Sequence, residues 1–369
     1  MASKILSKLR TRLRRFSVLH KRALFVLITT VLFFALAEGA VRFSNTVGRP
    51  GPDAPGVSHN PESSSISDPY LFWRFVPGSE MEGDGRIYRI NSRSLRDHEI
   101  ALPKPPGVFR ILSLGESTTF GAGVALEETY TKVAERLLRE RLPEMKIEAI
   151  NAGVGAYTSF QCVTYLERYG LDLMPDMVWL FSQTNDTMAS YMRNYANLKH
   201  GFGYTDRELY EIRTRHAGLI SLFNRSDLYK LLRQWITGRQ LASYRAHVAG
   251  KEEELKSGNL WRPRVPLKDR KANLLRYVEI ARKNKITPVF LLPAYYTSKP
   301  GQTDIMSNVA DRTGALLVDL PDYLYNSGRF NECWFSMDEL GGHPNAVGHR
   351  LMGEAIAEAL APALKRISE

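Results

Sequence analysis

Ile111-Leu112-Ser113-Leu114-Gly115-Glu116-Ser117-Thr118-Thr119-Phe120-Gly121 is an apolar run that stops at a glycine and hands over to a small-residue turn carrying a serine. A short continuous apolar segment ending in a turn signal reads as a strand buried on both faces, the kind a parallel sheet uses. Ligands of open α/β sheets bind beyond the carboxyl ends of the strands, so Ser117 stands where chemistry is done. Taken alone, the same run is equally consistent with a serine that merely caps the next helix.

Working outward, strands are expected at Phe109–Leu114, Ile147–Ile150, Met177–Phe181, Pro288–Leu292 and Leu316–Asp319. Helical periodicity falls between them, at about Tyr130–Arg141, Ser159–Tyr169, Asp269–Asn284, Thr303–Arg312 and Ala346–Lys365. Strands alternating with helices imply βαβ units and a doubly wound body on a parallel sheet. Residues 188–268 are too long for one connection. Their apolar spacing (Leu219, Leu222, Phe223, Leu228, Leu231, Leu232, Trp235, Ile236) suggests a helical insertion, either flanking the site or acting as a structural cap.

The partner for Ser117 lies far downstream, in Met337-Asp338-Glu339-Leu340-Gly341-Gly342-His343-Pro344-Asn345. A serine hydroxyl is a poor nucleophile until a base takes its proton, and the base is usually oriented by a carboxylate. His343 supplies the base on a loop before the last helix, with Asp338 and Glu339 just behind it. Two further segments follow strands: Asn151-Ala152-Gly153-Val154-Gly155-Ala156-Tyr157 and Ser182-Gln183-Thr184-Asn185-Asp186. A turn N–H and an asparagine amide are the donors that an oxyanion needs, although Gly and Asn are also ordinary turn residues.

These four segments, in this order, resemble the SGNH hydrolase (GDSL esterase/lipase) superfamily, in its membrane-anchored bacterial form. The resemblance runs from about Phe109 to Leu360, apart from the insertion. It implies a three-layer α/β/α, flavodoxin-like fold with a five-stranded parallel sheet, and hydrolysis or transfer of an ester acyl group; separately, no Cys/His spacing suggests zinc and no Gly-rich phosphate loop a nucleotide, so no cofactor or metal is expected. It makes Ser117 the nucleophile, His343 the base, and the N–H groups of Ser117 and Ala156, beside Gly155, with the Asn185 amide, the oxyanion hole. Several positions depart from the pattern. Glu116 replaces the usual Asp, a change expected to matter little; Ala156 stands in place of Gly, and Gln183 in place of a further Gly. The position three before the histidine is Leu340 where the family has its acid. Asp338 is then the candidate acid, reached through Gly341-Gly342, with Glu339 second; if neither reaches, a Ser–His pair remains.

The N-terminus gives the setting. Residues 1–22 carry Lys4, Lys8, Arg10, Arg12, Arg14, Arg15, Lys21 and Arg22 and no acid. These eight make up most of the formal net charge of +11, so the basicity belongs to a tail and argues poorly for nucleic-acid binding. An apolar segment at 23–43 follows, and a basic flank before an apolar core inserts with the N-terminus in the cytoplasm. It reads as a transmembrane signal anchor, with Ala35-Leu36-Ala37 keeping the alternative of a cleaved signal open. Residues 44–68, rich in Pro, Gly and Ser, have linker composition. Residues 69–108 form an aromatic lead-in, and 109–369 the catalytic body.

Cys162 and Cys333 read as two separate thiols more readily than as a pair. The expected activity is a serine ester hydrolase outside the cytoplasm, removing O-acyl (acetyl) groups from envelope or extracellular polysaccharide. An O-acyltransferase using the same residues, and a non-catalytic glycan-binding or assembly protein on this fold, remain alternatives.

Overall fold

The computed structural model describes residues 2–44, 65–188, 205–214, 226, 228–229, 231–232, 263–299 and 304–368. The chain divides into two compact units, Met1–Ala54 with His216–Gly250, and Pro55–Arg215 with Lys251–Glu369.

In the first unit, helix α1 (Ala2–Phe43) runs unbroken through both the basic stretch and the apolar one. Its Leu24–Phe43 portion, 20 residues, is long and apolar enough to cross a membrane, and the Leu, Phe and Val side chains between Leu24 and Leu36 are exposed. Glu38 lies within that portion, paired with Arg42 at 2.8 Å. The other Glu38 oxygen accepts from Ser226 Oγ (2.7 Å) and Leu228 N (2.9 Å). Most of the expected linker and most of the expected helical insertion lie outside the described residues.

The second unit begins with two antiparallel hairpins: β1 (Ser65–Asp68) with β2 (Phe72–Phe75), and β3 (Glu80–Gly83) with β4 (Arg86–Arg89). The last four residues given to the linker are therefore a strand, because Asp68 Oδ1 accepts from the N–H groups of Tyr70 and Leu71 and sets the first turn. The body follows as β5 (Val108–Gly115), α2 (Ser117–Phe120), α3 (Tyr130–Arg141), β6 (Lys146–Gly153), α4 (Ser159–Tyr165), β7 (Met177–Phe181) and α5 (Thr184–Thr187). After α6 (Asp206–Thr214) come α7 (Leu267–Lys283), β8 (Thr287–Leu292), α8 (Ile305–Thr313), β9 (Leu316–Asp319), α9 (Leu320–Asn326), α10 (Met337–Leu340) and α11 (Ala346–Ser368).

The five strands β5 to β9 form one parallel sheet in the order β6-β5-β7-β8-β9. Every residue of β7 is buried, as a strand covered on both faces requires. One core, holding Leu112, Phe160, Val163, Leu274 and Tyr277, lies under α4 and α7. The other, holding Trp179, Tyr130, Leu138, Met352 and Ile356, lies under α3 and α11. Helix, sheet and helix make three layers. Local chemistry sets the helix starts: Thr158 and Gln161 form a capping box at α4, and Asp304 caps α8 through Met306 N. Helix α9 went unrecognised in the sequence, although Asp319 caps it and Pro321 lies in its first turn.

The strand order reverses between β5 and β6 on one side and β7 on the other, and that reversal opens the crevice where such sheets bind ligands. Gly153, at the end of β6, admits the nucleophile turn. A Cβ there would collide with the backbone of Thr119 and Phe120. The segment that follows β4 then braces the turn from outside. Arg96 is buried, and its Nη1 donates to the carbonyls of Phe120 and Gly121 and its Nη2 to that of Val124, all at 2.6 Å. Its guanidinium lies over the rings of Tyr88 and Phe120.

Candidate active site

Ser117 is the first residue of α2, immediately beyond β5. His343 Nε2 lies 2.7 Å from Ser117 Oγ, so the fold joins two residues 226 apart in the sequence. A cavity of about 480 Å3 opens over them. Its walls include Gly155, Ala156, Asn185, Met188, Tyr295 and Tyr296, so all the proposed oxyanion residues share one space with Ser117 and His343.

The expectation for the acid differs from what the structure holds. His343 Nδ1 faces the backbone carbonyl of Leu340 in a short hydrogen bond, and the His343 N–H also bonds that carbonyl, at 3.1 Å. The cause is local. Gly341 and Gly342 both adopt positive φ, +57° and +74°, which folds the chain back after α10 and turns the imidazole onto the last carbonyl of that helix. Asp338, two residues earlier on α10, is exposed and makes no hydrogen bond or ion pair among the described residues. The Glu339 side chain lies outside the described residues. A carbonyl accepts only, so it fixes Nδ1 as the protonated nitrogen and leaves Nε2 as the acceptor facing Ser117.

Ala156 keeps the left-handed conformation of the glycine it replaces, with φ +63°. It occupies the third position of a turn closed by Tyr157 N to Val154 O at 3.1 Å, a position that ordinarily takes Gly or Asn. Its carbonyl is held by buried Arg264, whose Nη1 donates at 2.7 Å. Arg264 Nη2 in turn donates to Gln161 Oε1 at 2.7 Å and to Asp206 Oδ2 at 3.2 Å. The roots of the insertion are tied to the same place: Arg264 N bonds Met188 O (2.9 Å), Val265 N bonds Asp186 O (3.0 Å) and Asp206 N bonds Arg264 O (2.8 Å). No motif marks Arg264 or Asp206; each matters only through a fold that brings residues 48 to 108 apart into contact.

Asn185, buried at the start of α5, donates through Nδ2 to Glu116 Oε2 at 2.7 Å and to Tyr157 O at 3.0 Å. Glu116 is itself buried, and Tyr295 Oη donates to its other oxygen at 2.7 Å. Burial pushes the Glu116 carboxyl up to about 7, against the lowering effect of its hydrogen bond from Tyr295. Burial likewise raises Asp186 to about 6, although Arg270 pulls it down. The neighbouring histidine, His349, is buried and held down to about 3 by desolvation, with Nδ1 accepting from Tyr130 N. Cys162 and Cys333 are both free and buried, and no group of three His, Cys, Asp or Glu side chains arranged for a metal occurs among the described residues.

Several solved structures are similar to the chain. LAE5, an alpha/beta hydrolase enzyme from the metagenome of Lake Arreo, Spain, has 17% identity over 69% of this chain and 96% of its own, with a TM-score of 0.41. Axe2, an acetyl xylan esterase from Geobacillus stearothermophilus, has 15% identity over 68% and 94%, also at 0.41. The psychrotrophic esterase EstA from Pseudoalteromonas sp. has 16% identity over 69% and 98%, at 0.37. No curated protein matches. Residues 113–351 match the GDSL-like Lipase/Acylhydrolase family, and with well over half its length inside that match the chain belongs to this family of carboxylic ester hydrolases.

Proposed function

We propose that the chain is a serine esterase that removes O-acyl groups, acetyl foremost, from polysaccharide of the envelope or extracellular space. The observation that carries the proposal is the 2.7 Å hydrogen bond between Ser117 Oγ and His343 Nε2, with Nδ1 already committed to the Leu340 carbonyl. In this mechanism His343 takes the Ser117 proton as Oγ attacks the ester carbonyl. The tetrahedral oxyanion forms against the N–H groups of Ser117 and Ala156 and the Asn185 amide, each donor contributing about 2.7–4 kcal/mol of transition-state stabilisation. The imidazolium then protonates the leaving alcohol. Water, deprotonated by the same ring, releases the acid and restores Ser117. A neutral carbonyl orients the ring but does not balance the imidazolium charge, so the site runs as a Ser–His pair with a slower chemical step than a full triad.

The polysaccharide setting is supported by α1, whose basic flank and apolar span suit a helix inserted with its N-terminus in the cytoplasm. Tyr296, 46% exposed on the cavity wall, offers an aromatic face suited to the CH face of a sugar ring. The test uses the full chain in detergent with p-nitrophenyl acetate and with an acetylated glycan, without added acceptor alcohol. Acetate release abolished by Ser117→Ala supports the reading. Equal release by wild type and Ser117→Ala would overturn it.

A further inference from the structure

Glu116 is the only carboxyl among the described residues lining the cavity. It is 2% exposed and has no cation paired with it among the described residues, an expensive way to keep a carboxylate. Its oxygens are spent on two elements. Oε2 accepts from Asn185 Nδ2 at 2.7 Å and from Asn185 N at 3.3 Å. Oε1 accepts from Tyr295 Oη at 2.7 Å, and that phenol oxygen accepts from Thr184 N at 3.1 Å. One side chain thus ties the end of β5 to the first turn of α5 and to the loop after β8.

An asparagine amide turns freely about its last torsion and offers a donor edge or an acceptor edge to whatever it faces. Tyr295 Oη donates to one Glu116 oxygen and the Asn185 main-chain N–H to the other, so both oxygens act as acceptors and select the donor edge of the amide. From this geometry we propose that Glu116, steadied by Tyr295, is a positioning residue that holds the Asn185 amide in its donor orientation at the oxyanion site. The proposal rests on the catalytic reading above. One amide N–H stays on Glu116. The second, resting on the neutral Tyr157 carbonyl at 3.0 Å, is shared with the oxyanion when it forms. The exchange of Asp for Glu before the serine is therefore consequential: the longer side chain reaches Asn185 and Tyr295 together.

A residue that works through another has no effect once the other is gone, and a double-mutant cycle reads this directly. With the full chain in detergent, Asn185→Ala is expected to lower kcat about 100-fold or more. Glu116→Met, similar in length but without an acceptor, is expected to approach that loss with KM within about threefold, and to add almost nothing in the Asn185→Ala background. Glu116→Gln keeps one acceptor and should recover part of the rate. Tyr295→Phe, which keeps the ring in place, should cost up to about tenfold, the worth of one hydrogen bond. A Glu116→Met enzyme with wild-type kcat, or one whose loss is equally large without Asn185, overturns the proposal. Should Glu116→Met fail to fold, wild-type kcat in both Glu116→Gln and Tyr295→Phe overturns it. These results leave the catalytic reading intact so long as Ser117→Ala is inactive; an active Ser117→Ala overturns both.

Discussion

Asp338 and the Leu340 carbonyl make opposite demands on a simple substitution. If the ring is oriented by the carbonyl, Asp338→Asn should leave kcat for p-nitrophenyl acetate within about twofold. Loss of a true triad aspartate costs about 10⁴-fold in kcat, so the two arrangements differ by orders of magnitude in a single assay. Ala156 carries a different signature. A Cβ in the left-handed region costs roughly 1–2 kcal/mol, partly offset by the entropy that a glycine loses on folding. Ala156→Gly should therefore raise stability by up to about 1 kcal/mol, read as a higher thermal midpoint, with turnover unchanged. Both expectations follow from backbone geometry. Ser117 and His343 could be recognised from residue type and place, whereas the angle by which Gly341-Gly342 turns the histidine could not.

Among the elements, α2 and the lead-in segment after β4 depend on one another. Arg96 satisfies three carbonyls in and after the nucleophile turn, and hydrogen bonds to a charged group contribute about 1.5–3 kcal/mol each. Arg96→Met should destabilise the protein by at least about 3 kcal/mol and lower kcat along with it; chemical denaturation and turnover on one sample check both. The carboxyls of Glu116 and Asp186 add a pH dependence with a definite sign. Desolvation raises both, from 4.5 to about 7 and from 3.8 to about 6. Across those intervals the folded protein holds protons that the unfolded chain has released, so their contribution to stability falls as pH rises from about 4 to 7. Thermal midpoints over that range should drop less steeply in Glu116→Gln. The aromatic run at Tyr70 to Phe75 was legible as part of a lead-in segment, and Tyr157 Oη on Trp73 O and Gln161 on Leu71 O fasten it to the body. The Arg96 clamp was not, since nothing nearby in the sequence distinguishes it from a surface arginine.

At the scale of the whole molecule, the parallel sheet was readable because buried strands such as Met177–Phe181 are apolar from end to end. The three segments that carry the site follow β5, β6 and β7, so strand order alone brought Ser117, Ala156 and Asn185 to one crevice. The coupling of Arg264 to Ala156 depends on how the chain returns to the body after residue 262, which local pattern does not encode. The anchor reading makes its own prediction. Carbonate-washed membranes should retain the full-length chain, with its N-terminus intact by mass spectrometry. A soluble product lacking residues 1–37 would instead mark cleavage after Ala37.

The histidine's second partner is a main-chain group, and this bears on heredity as much as on chemistry. No codon change at position 340 can delete a carbonyl. A saturation library scored for turnover should therefore be intolerant at Ser117, His343 and the two glycines that aim the ring, while the codon for Asp338 remains free to drift.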